Sequence, residues 1–504
     1  MAAMTSSVPA DLLDRTSARG RGALAAVTLG SAMAMLDGTV VTIALRRIGT
    51  DLDATMGDLQ WVVNGYLLAL ASLILVAGSL GDRLGRRRLY LFGIGWFAVA
   101  SLACALAPTP TLLVLARVVQ GIGAALMTPG ALAIISASFR PQDRASAIGT
   151  WAGISGVATA IGPFLGGFLL DHGGWRWIFL INLPVAAAVI ALCMRYVPES
   201  RDLTAAKVTD RGGAALTITG LAALTLGLIG GSNWPRFAAP LLVLVGVGLL
   251  VAFVAWERGR ATPMVPMSLF ASRVFSAANM MTFLVYGALG AVMLFLTLQL
   301  QVSAGFSPLA SGLATMPVTI ALLLLSAPLA RLAERTGPRL PMALGPLLCA
   351  AGVVGLLGVG AGTGYWLGVL PGMVLFALGL AALVSPLTAA VLAAAPTRLA
   401  GVASGVNNAV ARSGSLLAVA ALPTLVGLTG SSYADPLALT PAYRLAMLAC
   451  AGLLAAGGVV SWLGVPGRAD VNALRALSRD CPINGVSGVH WVTGSRRPAC
   501  GRRR

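Results

Sequence analysis

Apolar residues in this chain come in long uninterrupted runs rather than in alternation. Fourteen such runs, separated by short polar segments, fill residues 23–465. Their limits are 23–45, 59–80, 89–107, 111–138, 145–170, 176–196, 212–230, 237–256, 274–300, 309–330, 340–360, 365–392, 400–428 and 442–465. A helix needs about 20 apolar residues to cross the hydrocarbon core of a bilayer. The pattern therefore predicts an all-α integral membrane protein with fourteen transmembrane helices. Small residues and Pro dilute the fifth, twelfth and thirteenth runs, but Gly and Pro are common in membrane helices. Asp37 is the one acidic residue inside any of these runs. A charged side chain at the bilayer centre costs about 3 kcal/mol on insertion scales, so a carboxylate kept there points to function.

The polar segments carry the second pattern. If the N-terminus is cytoplasmic, 28 of the 35 Lys and Arg residues fall on the inner side. Five fall outside, namely Arg46, Arg47, Arg176, Arg236 and Arg444, and Arg117 and Arg412 lie within runs. That bias follows the positive-inside rule and predicts a multi-pass protein of the cytoplasmic membrane with both termini in the cytoplasm. It also explains the net charge of +18 without nucleic acid. The first run is expected to be a retained signal anchor. Arg496, Arg497 and Arg502 to Arg504 end a tail expected to be solvated and disordered, with anionic lipid within reach.

Composition adds exclusions. The chain is 57% hydrophobic and 10% charged, far from the charge content of a soluble domain. The six Cys are scattered; Cys481 and Cys500 in the tail are the one pair with any prospect of bridging. His172 and His490 form no metal-binding spacing, and no metal or other cofactor is expected. The single Lys, Lys207, stands in no phosphate-cradling Gly-rich loop, so hydrolysis of ATP by this chain is not expected to drive it. No enzyme constellation is present.

A weak internal repeat organises the runs. Gly78 to Arg88 links runs two and three, and Ala327 to Gly337 links runs ten and eleven. Both set an acid before Arg, then a gap, then Gly, and matched halves are expected of transporters built from repeats. The expected divisions are an N-terminal segment 1–22, a six-helix bundle 23–196, an inserted two-helix hairpin with linkers 197–273, a second six-helix bundle 274–465 and the tail 466–504. In the first loop, Gly85 suits a tight turn and Gly78 a close helix contact. Asp82 is placed to meet a helix N-terminus or an inner-loop Arg such as Arg140 or Arg144.

The loop Gly78 to Arg88, with Asp82, Arg83, Gly85 and Arg86, resembles the signature loop of the major facilitator superfamily. Leu113 to Gly123, with Arg117, Gln120 and Gly121 on one face, is similar to its fourth-helix motif. Gly156 to Gly167, with Gly162, Pro163 and Gly166, resembles the fifth-helix motif of its proton-coupled exporters. Leu36 to Leu45 resembles the first-helix motif of its fourteen-span drug:proton antiporters, although Thr42 and Arg46 stand where that motif more often has Asn and Pro. Gln60 to Tyr66 and Trp175 to Pro184 are similar to stretches of the same subfamily. The resemblance covers about 23–465. It implies a major facilitator fold of six, two and six helices. It also implies proton-coupled efflux of lipophilic drugs, dyes or antibiotics, cationic ones included, by alternating access. Export of one endogenous metabolite is the alternative, and a sensor without transport the remote one. The proton gradient would be the energy source and a monomer the expected unit.

Candidate residues follow. Asp37 and Arg117 fall at similar depth, roughly 12 and 9 Å below the outer helix ends at ~1.5 Å per residue, so they are able to pair. Burial and a nearby Arg pull a carboxylate's proton affinity in opposite senses, which suits a coupling site; a permanent structural pair is the alternative. The fifth-helix Gly stripe with Pro163 suits a close, bent joint between moving halves. Tyr66, Gln120, Asn279, Tyr286, Asn408 and Arg412 are candidates for the substrate cavity. Phe283, Gln299 and Gln301 extend that candidate wall. Arg412, with no acid in its own helix, either lines a wet cavity or satisfies backbone carbonyls.

Overall fold

The computed structural model describes residues 12–201, 210–230, 234–260, 263–396 and 399–467. Lys207 and the tail with Cys481, His490, Cys500 and the terminal Arg residues lie outside the described residues, as do the side-chain surroundings at Gly156. Each of the fourteen apolar runs falls on helix. In chain order the helices are α1 (Ala18–Leu52), α2 (Met56–Leu84), α3 (Arg86–Leu106), α4 (Pro110–Ser138), α5 (Pro141–Gly173), α6 (Arg176–Tyr196), α7 (Arg211–Ile229), α8 (Ala238–Arg258), α9 (Arg273–Val302), α10 (Pro308–Thr336), α11 (Arg339–Gly355), α12 (Tyr365–Ala393), α13 (Ala400–Leu425) and α14 (Pro436–Gly464). Eleven of them are long and apolar enough to cross a membrane; α5, α11 and α13 fall outside that set. Helix α11 is 17 residues long, and α5 and α13 are rich in Gly, Ser and Thr.

Local chemistry sets the helix ends and breaks. Thr55 and Asp58 form a reciprocal capping box that starts α2. Thr109, Asp210, Ser272 and Asp435 cap α4, α7, α9 and α14 through their side-chain oxygens. Helix α6 breaks at Ile181 and α10 at Thr315, shortly before Pro184 and Pro317, whose missing N–H groups interrupt the ladder. Helix α1 runs seven residues past Leu45, through Arg46 and Arg47, so Asp37 sits near its middle and deeper below that end than expected.

Helices α1–α6 pack mainly among themselves, as do α9–α14, and α7 pairs with α8. Helix α7 also packs on both α2 and α13, which seats the hairpin at the seam between the halves. Helix α8 turns nearly its whole surface outward.

The halves meet most closely at one end, where α1 finishes and α2 begins. Gln60 donates to the carbonyls of Val419 (2.9 Å) and Ala420 (2.8 Å). Gln301 donates to the Ile43 carbonyl (3.0 Å), and Arg46 returns a bond to the Gln301 carbonyl. Tyr433 bonds the Ala54 carbonyl (3.0 Å), Met56 N–H bonds the Gly430 carbonyl (2.7 Å) and Leu309 N–H bonds Asp171 (3.3 Å). One apolar core runs through this end, joining Val40–Val62, Leu170–Phe179 and the second half. Toward the opposite end, the first half keeps a separate core of Ala23–Met33, Tyr66–Ile74, Tyr90–Phe97 and Ala124–Phe139.

Candidate functional site

Asp37 and Arg117 meet inside the first half. Asp37 is 2% exposed and Arg117 1% exposed. Arg117 Nη1 lies 2.5 Å from Asp37 Oδ2. Gln120, one turn along α4, donates to Asp37 Oδ1 at 2.9 Å, and Asn182 donates to the same oxygen at 3.2 Å. The carboxylate is therefore enclosed by three side-chain donors, as a buried charge requires.

The second layer closes on itself. Gln120 and Asn182 both donate to Ser101 Oγ, at 3.1 and 2.9 Å, and Ser101 donates to the Phe179 carbonyl at 3.0 Å. Arg117 Nε donates to the Val62 carbonyl (3.0 Å) and Nη1 to Gln120 Oε1 (2.6 Å). The Tyr66 ring lies under the guanidinium, 4.4 Å from its carbon, and the Tyr66 hydroxyl donates to the Ala34 carbonyl at 3.2 Å. Five helices thus supply one polar knot: α1, α2, α3, α4 and α6. A cavity of about 80 Å³ between α1, α5 and α6 touches it, with Asp37 and Asn182 as its polar lining and Met33, Leu36, Val40 and Leu165 among its apolar residues. A water in liquid takes about 30 Å³, so this space has room for at least about two.

Tyr66 and Gln120 belong to the knot. Both are buried, 2% and 0% exposed, which corrects their expected place on a cavity wall. Asn279 is absorbed into the α9–α13 contact: its Oδ1 accepts from Asn407 (3.2 Å) and its amide donates to the Phe275 carbonyl (2.9 Å). Gln299 and Gln301 are likewise buried in backbone links and are not wall residues. Tyr286, Phe283 and Arg412 keep partial exposure and Asn408 is exposed. Sequence reasoning missed Asn182 and Ser101 as site residues. The available signal was a lone Asn next to a Pro-broken helix.

The loop residues stand as follows. Gly85 has φ 112°, closes α2 and opens α3, and a Cβ there would meet the Glu199 carboxylate at 2.8 Å. Asp82 pairs with Arg86 at 2.7 Å, across the Gly85 turn, rather than with Arg140 or Arg144. Arg140 instead pairs with Asp14 at 2.9 Å. A Cβ on Gly78 would meet Pro129 at an ordinary 3.7 Å, so glycine is not sterically required there. Arg83 lies in the last turn of α2. On α5, Gly162 faces Thr39 and Gly166 faces Val40, where a Cβ would come within 2.7 Å. Gly167 faces the other half, with Leu309 Cα 2.5 Å from a Cβ built on it, and the Pro163 carbonyl abuts Gly312. One stripe therefore packs α5 on α1 and on α10 at once.

Residues 27–419 match the family model described as Major Facilitator Superfamily. The chain belongs to that superfamily. Among its superfamily relatives, the tetracenomycin C resistance and export protein of Streptomyces glaucescens is 36% identical over 80% of this chain and 75% of its own length. The puromycin resistance protein pur8 of Streptomyces alboniger is 33% identical, over 89% of this chain and 92% of the relative. The multidrug resistance protein Stp of Mycobacterium tuberculosis is 34% identical over 82% and 77%. Solved structures share the fold. A peptide transporter POT bound to sulfate superposes with TM-score 0.66 at 16% identity, over 90% of this chain and 96% of that one. A bacterial homologue of the lysosomal transporter Spinster, inward-facing and unoccupied, superposes with TM-score 0.62 at 19% identity, over 89% and 97%.

Proposed function

We propose that this chain is a proton-coupled efflux antiporter for lipophilic small molecules, antibiotics among them, working by alternating access with Asp37 as the proton-carrying group. The observation that carries the reading is the enclosed Asp37–Arg117 pair at the meeting of five helices. An intramembrane acid held in a set of donors marks a proton path in transporters. The cavity beside it would bring water to the carboxylate. The names of the relatives support drug export.

In this reading all fourteen helices span the membrane, both termini are cytoplasmic, and the sealed end of the seam faces outward. The Lys and Arg bias supports that orientation. The structure is then the inward-open state. Protonation of Asp37 discharges its bond to Arg117, and the knot that pins α1 to α4 and α6 loosens. Rocking of the halves along the α5 stripe exchanges access. With three donors on the carboxylate, a cationic drug would find no free acceptor there. Direct competition of a cation with the proton for Asp37 is therefore the less favoured form of coupling.

Proton release on substrate addition tests the reading. Purified protein in weakly buffered detergent is expected to release protons when drug is added, and Asp37→Asn is expected to release none while inserting normally. Undiminished gradient-driven efflux by Asp37→Asn in everted vesicles would sink it. A second reading, a dedicated exporter of one compound made by the host, is favoured by relatives named for single antibiotics: tetracenomycin C, methylenomycin A and puromycin. A resistance screen across unrelated drugs separates the two, since a dedicated exporter protects against one chemical class.

A further inference from the structure

Arg412 sits near the middle of α13 in the second half and is only partly exposed. Among the described residues it has no hydrogen-bond or ion-pair partner. Gly405, Asn408 and Arg412 share one face of α13 by their spacing of three and four residues. That face looks across the seam, because Gly405 meets Leu75 of α2. On the neighbouring α9, the Tyr286 carbonyl accepts from Ser415, three residues beyond Arg412, at 2.7 Å. The other buried charges of the region cancel: Asp37 is consumed by Arg117. Among the described residues, Arg412 is thus a positive group of the seam with no counter-charge.

We propose that Arg412 is the charge-recognising residue of the substrate cavity, and that the preferred substrates are planar aromatic solutes bearing an ionised acidic oxygen, a carboxylate or a phenolate. This rests on the efflux reading and deepens it. An unpaired Arg within a membrane helix is costly, and a bound anion offsets that cost. The guanidinium fork matches a carboxylate bidentately and also stacks on aromatic planes. Tyr286 adds an aromatic wall, and Asn408, exposed one turn away, adds an amide for a second oxygen. Substrate and proton then occupy different charged groups in different halves. Their coupling runs through the movement of the halves and not through competition for one carboxylate.

Two xanthene dyes of one ring shape and opposite charge test this: fluorescein and rhodamine 123. Protein is reconstituted in phosphatidylcholine, which keeps anionic headgroups out of the site, and uptake is driven by an acidic lumen. Fluorescein is expected to show a KM at least tenfold below that of rhodamine 123. Arg412→Gln is expected to raise the fluorescein KM about tenfold or more and leave the rhodamine 123 KM within twofold. Arg412→Lys, which keeps charge without the fork, should fall between. Monodisperse elution of each variant shows that it folds. A preference of the unaltered protein for rhodamine 123, or an unchanged fluorescein KM in Arg412→Gln, overturns the proposal. If the unaltered protein takes up neither dye, fluorescence anisotropy of purified protein decides, and absence of fluorescein binding overturns it. The efflux reading fails separately: gradient-driven fluorescein uptake that survives in Asp37→Asn removes the proton role and leaves the anion site standing.

Discussion

Asp37 draws on two helices for its three donors, and that number sets what each substitution should do. Removing Arg117 leaves a buried carboxylate with its charge uncompensated, which costs about 3–5 kcal/mol. Arg117→Leu is therefore expected to lower the Tm in detergent by several degrees or more. The double variant Asp37→Asn/Arg117→Leu should lose clearly less than the sum of the two single changes, because the residues share one network. Additive losses would show that the pair contributes no coupling. Asn182→Ala removes one of two donors on Oδ1 and a bond to Ser101, and should cost about 1–3 kcal/mol. The pair itself was legible in the sequence, since Asp37 is the one acid inside the runs and Arg117 the Arg at matching depth in the same half. Ser101 and Asn182 were not, because small polar residues are ordinary in membrane helices and most of their partners lie about 80 to 145 positions away. Tyr66 and Gln120 were expected on a cavity wall and lie inside the knot instead. Periodicity gives a shared face but not whether that face looks into the bundle or into the open seam.

At the scale of the element, α5 is the helix whose sequence states its packing most directly. Its glycines at 162 and 166 let α1 approach, and Gly167 lets α10 approach from the other half. Gly167→Ala would push a methyl into the Leu309 backbone, which has no flexible end to give way. The substitution is expected to open the α5–α10 contact and to cut transport severalfold while Tm falls by a few degrees at most. Cysteine pairs across α5 and α10 that cross-link in the parent should then cross-link poorly; unchanged cross-linking with unchanged transport would remove the stripe from the mechanism. Gly85→Ala is a different case. Its positive φ costs a non-glycine residue about 1–2 kcal/mol, and the new Cβ meets Glu199, which itself accepts from the Arg87 and Arg88 amides. The sequence announced that turn correctly. It did not announce Asp82's partner, because Arg86 stands four positions on, across the Gly85 turn at the start of the next helix.

For the whole molecule, the decisive asymmetry is that hydrogen bonds between the halves gather at one end while the apolar core of the first half separates toward the other. Two matched halves with one sealed end have a second state in which the seal breaks and the opposite end closes, and the seam bonds set the balance between them. Gln60 and Tyr433 carry three of those bonds. At about 1 kcal/mol for each bond lost, Gln60→Leu/Tyr433→Phe should shift the equilibrium toward the unsealed state by at least about tenfold. Spin labels at Arg47 and Thr429, both exposed at the sealed end, would report it as a longer second distance in pulsed dipolar spectra. A distribution identical to that of the parent would mean that apolar contact alone holds the seal. Substrate adds a second arm to the measurement. If Arg412 binds the solute in the state described here, fluorescein should restore the short distance in the seam variant, and Arg412→Gln should abolish that restoration, because a ligand shifts an equilibrium only by its differential affinity for the two states.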